Sequence, residues 1–184
     1  MGGDINALKA AIVALQNEVK ALSTKNNDTK MSDSQFEDIV QEVSERQNRR
    51  CNVIIFGLKE QDGATKDDKA VLEKSEVVKV LTHVTPSITV TNIRRLGKFD
   101  ENRTIGRPIK VTLANVEQVS ELIKKCPSLR NSSEFKQISI STDKTPRQMN
   151  FYKTLKSELE ERKNKGETNL KIKYVGGVPK IVNF

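Results

Sequence analysis

The sequence is short of aromatics, thiols and imidazole, and each shortage argues against a class of protein. Aromatic residues make up 4% of the chain and charged residues 30%, which leaves no material for one large aromatic-packed core. The 35% of apolar residues still suffices for compact small domains. The cysteines, Cys51 and Cys126, lie far apart, and with the one histidine, His83, they fall short of the four ligands of a structural zinc site. Both read as reduced thiols of an intracellular protein. No stretch approaches the roughly 20 apolar residues needed to cross a bilayer, and the first residues carry neither the basic nor the apolar part of a secretion signal. No glycine-rich phosphate loop occurs, and His83 has no nucleophile or metal cluster arranged around it, so it reads as a structural residue near a helix end. The chain is therefore expected not to be an enzyme, and to use no cofactor, no metal, no membrane and no small-molecule substrate.

What the chain does have is positive charge, unevenly placed. The net charge is +8, yet residues 1–45 hold four lysines against eight acids, a balance of −4, which leaves +12 for residues 46–184. A split of that size points to a polyanionic partner for the later part alone.

The early part carries a heptad. Ile5, Ile12 and Val19 fall at a and Leu8, Leu15 and Leu22 at d, a 3.5-residue seam that predicts a coiled coil. Three heptads are marginal as an isolated helix, so the seam implies self-association. The register then meets Asn26, Thr29 and Asp33 in a polar stretch where the coil loosens or breaks. It restarts at Ser34, which forms a capping-box pattern with Glu37, and Phe36, Val40 and Val43 resume the d, a, d positions.

Beyond the arginines Arg46, Arg49 and Arg50 the periodicity changes. The apolar run Val53–Leu58 predicts a buried strand, and Thr65 caps a helix with Val71, Val78 and Leu81 at helical spacing. Residues 87–95 read as a β-branched strand, and 109–113 as a strand with Ile109, Val111 and Leu113 inward and Lys110 and Thr112 outward. Asn115 and Gln118 open a second helix stopped by Pro127, and Ile138 and Ile140 supply a fourth strand. The order is β-α-β-β-α-β, a ferredoxin-like arrangement. Next, Thr145, Pro146 and Gln148 combine N-cap, first-turn proline and capping-box glutamine for a helix that Gly166 ends. Two alternating segments around Gly176-Gly177 then read as a hairpin. The expected organisation is α+β: a coiled coil over 1–50, a ferredoxin-like domain over 51–142 and a small α+β domain over 143–184.

In an RNA-recognition domain the middle strands stack bases on aromatic rings. Here the first keeps Phe56 and the third has no ring, so its open face offers Lys110 instead, and phosphate contacts should dominate. Around it lie Arg46, Arg49, Arg50, Arg94, Arg95, Lys98, Arg103 and Arg107, and later Lys144, Arg147, Lys153, Lys171, Lys173 and Lys180. The arginines concentrate at strand ends and loops and do not interleave with acids at i, i+4, which sets them apart from an ordinary solvated helix face.

The succession RRCNVIIFGLKE, NIRRLGK, GRPIKVTLAN and STDKTPRQMNFYKTLKSELEERKNKGETNLKIKYVGGVPKIV, preceded by a heptad coil, resembles the first-open-reading-frame protein of LINE-type non-LTR retrotransposons over residues 46–184. The resemblance implies a homotrimer on a coiled coil, an atypical RNA-recognition domain, and a C-terminal domain that clamps single-stranded nucleic acid. It also implies nucleic-acid chaperone activity and transposon RNA packaged into ribonucleoprotein particles, in the cytoplasm with the nucleus as a second compartment. It carries RNA contacts to Arg49 and Arg50, Arg94 and Arg95 with Lys98, Arg103 and Arg107, Arg147, and Tyr174. The oligomer number stays open, because Ile at a with Leu at d favours parallel dimers. Single-stranded RNA, and single-stranded DNA beside it, are the expected partners. A reading of a different class is a coiled-coil scaffold for other proteins in which the basic charge is incidental.

Overall fold

The structure is a computed structural model that describes residues 12–18, 20, 31–60, 62, 65–100 and 105–183. The seam residues Ile5, Leu8, Val19 and Leu22 and the loop residue Arg103 lie outside these. The chain divides into two units, Met1–Val43 and Ser44–Phe184.

In the first unit residues 12–18 are helical, with Ile12 and Leu15 exposed. Helix α1 (Asp33–Arg49) begins in the first unit, its residues from Ser44 on belong to the second, and its cap lies two residues earlier than expected. The Ser32 backbone N–H donates to Gln35 Oε1 at 2.9 Å and the Gln35 N–H donates to Ser32 Oγ at 3.2 Å. Ser32-x-x-Gln35 meets the same requirement as Ser34-x-x-Glu37 and lengthens the helix. Phe36, Ile39, Val40 and Val43, at i, i+3, i+4 and i+7, form an exposed apolar stripe along it.

The second unit is mixed α+β. Its elements are β1 (Asn52–Phe56), α2 (Lys66–Val84), β2 (Val90–Arg95), β3 (Ile109–Leu113), α3 (Val116–Lys125), a 3-10 turn (Cys126–Asn131), β4 (Ser139–Thr142), α4 (Pro146–Asn164), β5 (Leu170–Val175) and β6 (Val178–Asn183). Strands β1 to β4 make one antiparallel sheet in the order β2-β3-β1-β4. Period-2 alternation sorts its side chains. Val53, Ile55, Ile109, Val111, Leu113 and Ile140 face a core completed by Val77, Val80, Leu81 and Val84 of α2 and by Val119 and Leu122 of α3. The opposite face carries Asn52 and Ile54, which the register pairs with Thr112 and Lys110 of β3, and Phe56, which pairs with Ser139 of β4.

Two expectations shift for physical reasons. Val71 is 68% exposed, because the buried stripe of α2 runs along Val77, Val80, Leu81 and Val84 instead. Strand β2 begins at Val90 and not at residue 87, since the Gln118 amide takes over the backbone there: it accepts from the Thr89 N–H and donates to the Ser87 carbonyl, both at 3.3 Å.

Past β4 the chain turns through Asp143 and Lys144 into α4. Thr145, fully buried, caps it: Gln148 N–H donates to Thr145 Oγ1 at 3.1 Å and Thr145 N–H to Gln148 Oε1 at 2.9 Å. No residue of α4 is fully buried, and the β5–β6 hairpin contributes only Leu170 to the interior. This thin core leaves Met149, Phe151, Tyr152 and Tyr174 partly exposed. Gly176 and Gly177 hold φ of +59° and +77°, the left-handed pair of a type I′ turn.

Candidate functional site

The end of α1, the β4–α4 connection and the hairpin enclose a cleft of about 400 Å³ lined by Arg46, Arg49, Arg50, Lys144, Phe151 and Tyr174, among others. Residues more than 120 positions apart in sequence thus meet in one basic, aromatic-walled space. Among the described residues that line it, the one acid is Asp143.

Asp143 organises this wall. Arg49 Nη1 donates to Asp143 Oδ1 at 3.1 Å and to the Lys144 carbonyl at 3.4 Å. Asn52 Nδ2 donates to Asp143 Oδ2 at 3.0 Å, and Thr112 Oγ1 donates to Asn52 Oδ1 at 2.8 Å. A hydrogen-bond chain therefore runs from the open face of the sheet to the last turn of α1. Glu45, one turn back, adds a second carboxylate to Arg49 at 3.4 Å. Burial pushes the Tyr174 hydroxyl up from its ordinary pKa, and the neighbouring Tyr152 adds to the shift.

A second cavity, of about 480 Å³, adjoins the first and shares Arg49, Thr142, Asp143 and Lys144 with it. It lies between the open face of the sheet, represented by Ile54 and Phe56, and α4, represented by Met149, Tyr152 and Lys153. Lys144 Nζ stands 6.0 Å over the Tyr152 ring, within cation–π range.

The remaining cations scatter. Arg94 and Lys110 face each other directly across β2 and β3 on the open face. Like charges in that position cost stability, and among the described residues neither has a carboxylate at salt-bridge distance. Lys98 and Arg147 are exposed, at a loop and in the first turn of α4. Lys171 and Lys173 alternate with Tyr174 along β5 and so occupy the other face of the hairpin, where Lys173 pairs with Lys180. The hairpin lysines are thus not part of the cleft.

Arg95 corrects its expectation. Alternation along β2 puts it with Ile93 on the core face, and its side chain is 6% exposed. The guanidinium pairs with Glu73 and donates to the carbonyls of Leu58 at 2.9 Å, Arg107 at 2.6 Å and Lys59 at 2.7 Å. Arg107 is likewise engaged: Nε and Nη2 donate to the Glu60 carboxylate at 3.0 and 3.1 Å, and its guanidinium lies 5.5 Å from the Phe99 ring centroid. The Arg107 hydrogen bond, aided by Arg95, holds the Glu60 carboxyl down at about 2 against the opposing effect of burial. Arg95 is a structural tie between loops and has no open face to offer a ligand.

The sequence reading passed over Asp143, Phe151 and Tyr152. The adjacent rings were the available signal, being rare in a chain with 4% aromatics and placed nearly two turns after an N-cap. The matching search of protein families and curated proteins found no family model and no curated protein similar to this chain.

Proposed function

We propose that the protein binds single-stranded RNA along the basic cleft and accepts single-stranded DNA there. It acts as an oligomer joined through the N-terminal heptads, coating a retrotransposon's RNA into ribonucleoprotein particles with nucleic-acid chaperone activity. The observation that carries the reading is the cleft itself, where Arg46, Arg49, Arg50 and Lys144 stand together with Phe151 and Tyr174. Cations that track a backbone, combined with rings on which bases stack, are the two requirements of sequence-tolerant single-strand binding.

The order β-α-β-β-α-β with strands arranged β2-β3-β1-β4 supports taking the sheet as a ferredoxin-like RNA-recognition domain. The like-charged Arg94–Lys110 pair, with no salt-bridged carboxylate among the described residues, supports an anion on its open face. The exposed stripe Phe36, Ile39, Val40 and Val43 supports burial against other copies, in a trimer or a dimer.

Mobility-shift titration of a single-stranded oligonucleotide against salt tests the reading. Arg46→Glu with Arg50→Glu should weaken binding and flatten the salt slope by roughly one unit per lost contact. A salt-independent affinity, or equal affinity for a duplex, sinks it. The scaffold reading predicts instead that these reversals leave every partner in place.

A further inference from the structure

Two cavities meet at Arg49 and Lys144, and their walls differ. The first is ringed by guanidinium groups, whereas the second is floored by Ile54, Phe56, Leu96, Pro108, Met149 and Tyr152. Rings that stay open to solvent forgo the burial that drives folding, and Phe56 remains 41%, Tyr152 37% and Met149 48% exposed. In the core of the same unit Phe135 is 4% exposed.

The rim of this apolar floor is cationic. Arg49, Lys144 and Lys153 border it, and its acid, Asp143, is already bonded to Arg49. An occupant must therefore be apolar and flat on the inside and anionic at the mouth. A peptide side chain supplies the first property without the second. A nucleotide supplies both, and its π-face suits Phe56 and Tyr152 whichever base it carries.

We propose, resting on the single-strand reading above, that the cavity between the open sheet face and α4 is a nucleobase pocket. It takes one base turned out of the strand whose phosphates lie in the adjoining basic cleft. The third strand offers Lys110 and Thr112 on this face, so the second ring comes from across the cavity, from Tyr152 on α4. Lys144, standing over that ring and lining both cavities, bridges base and phosphate. The pocket has few polar groups, so it discriminates a base from no base and discriminates weakly among bases.

The test compares a single-stranded oligonucleotide that carries one 2-aminopurine with an abasic strand of equal length and charge, at one salt concentration. The abasic strand should bind about tenfold or more weakly. The 2-aminopurine emission change seen with the wild-type protein should be lost in Tyr152→Ala and restored in Tyr152→Phe. Circular dichroism and thermal unfolding of the same samples check that each variant is folded. Equal affinity for abasic and base-bearing strands, or an unchanged emission signal in Tyr152→Ala with binding retained, overturns the pocket while leaving the strand-binding reading standing. Failure of the wild-type protein to bind either strand at low salt overturns both.

Discussion

Removing the Arg95 guanidinium strands the Glu73 carboxylate and the Leu58, Lys59 and Arg107 carbonyls inside the unit. Arg95→Met should therefore lower unfolding free energy by about 3 kcal/mol or more, read from urea denaturation, because an uncompensated buried charge is left behind. Arg94→Ala, one position away on the open face, should change stability by less than about 0.5 kcal/mol and act on nucleic-acid affinity instead. Glu60 gives a pH dependence with a definite sign. Its folded pKa of about 2 lies below its ordinary 4.5, so its stabilisation is complete above pH 4.5 and is lost as pH falls through that window toward 2. Glu60→Gln should flatten this part of the acid limb in a plot of urea midpoint against pH. The different roles of Arg94 and Arg95 were not legible in VTNIRR, where Val90 and Ile93 both pack on the core yet stand in opposite phases of a strict alternation, which a register shift after Val90 reconciles. The partners of Arg95 were not legible, since they sit in loops that approach β2 only once the sheet has formed.

At the scale of elements, the caps were readable because capping is local. Thr65–Asp68, Asn115–Gln118 and Thr145–Gln148 each place an acceptor three residues before the N–H it serves. Thr145→Ala should cost about 1 to 2 kcal/mol, measured by urea denaturation, and should loosen the α4 turn that carries Phe151 and Tyr152. The type I′ hairpin was readable too, from adjacent glycines between alternating strands. The placement of α4 over Ile54 and Phe56 was not. Its sequence shows no buried stripe, and α4 and the sheet face line a shared cavity, to which α4 brings partly exposed side chains that leave no periodic trace. Gly106 shows the same limit, for a Cβ there would lie 2.1 Å from the Leu58 carbonyl, a crowding that nothing in GRPIK announces.

For the whole molecule, the charge split, −4 over residues 1–45 and +12 over 46–184, fits the proposed function, in which the later part meets the polyanion. If about six phosphates are contacted per copy, log affinity for a single strand should fall against log salt with a slope of roughly −4. Copies joined through the heptads would add avidity without adding any new contact. Light scattering with and without an oligonucleotide measures the copy number, and Val40→Asp with Val43→Asp, on the exposed stripe of α1, should lower it.

Asp143 leaves one more consequence. By gripping Arg49 while itself held by Asn52, it freezes a long side chain before any strand arrives, so the ordering entropy of that arginine is settled during folding rather than at encounter. The same carboxylate competes with an incoming phosphate for the guanidinium, which trades some tightness for readiness. On the single-strand function proposed above, a strand held this way would exchange quickly, the kinetic habit that remodelling of nucleic acid requires.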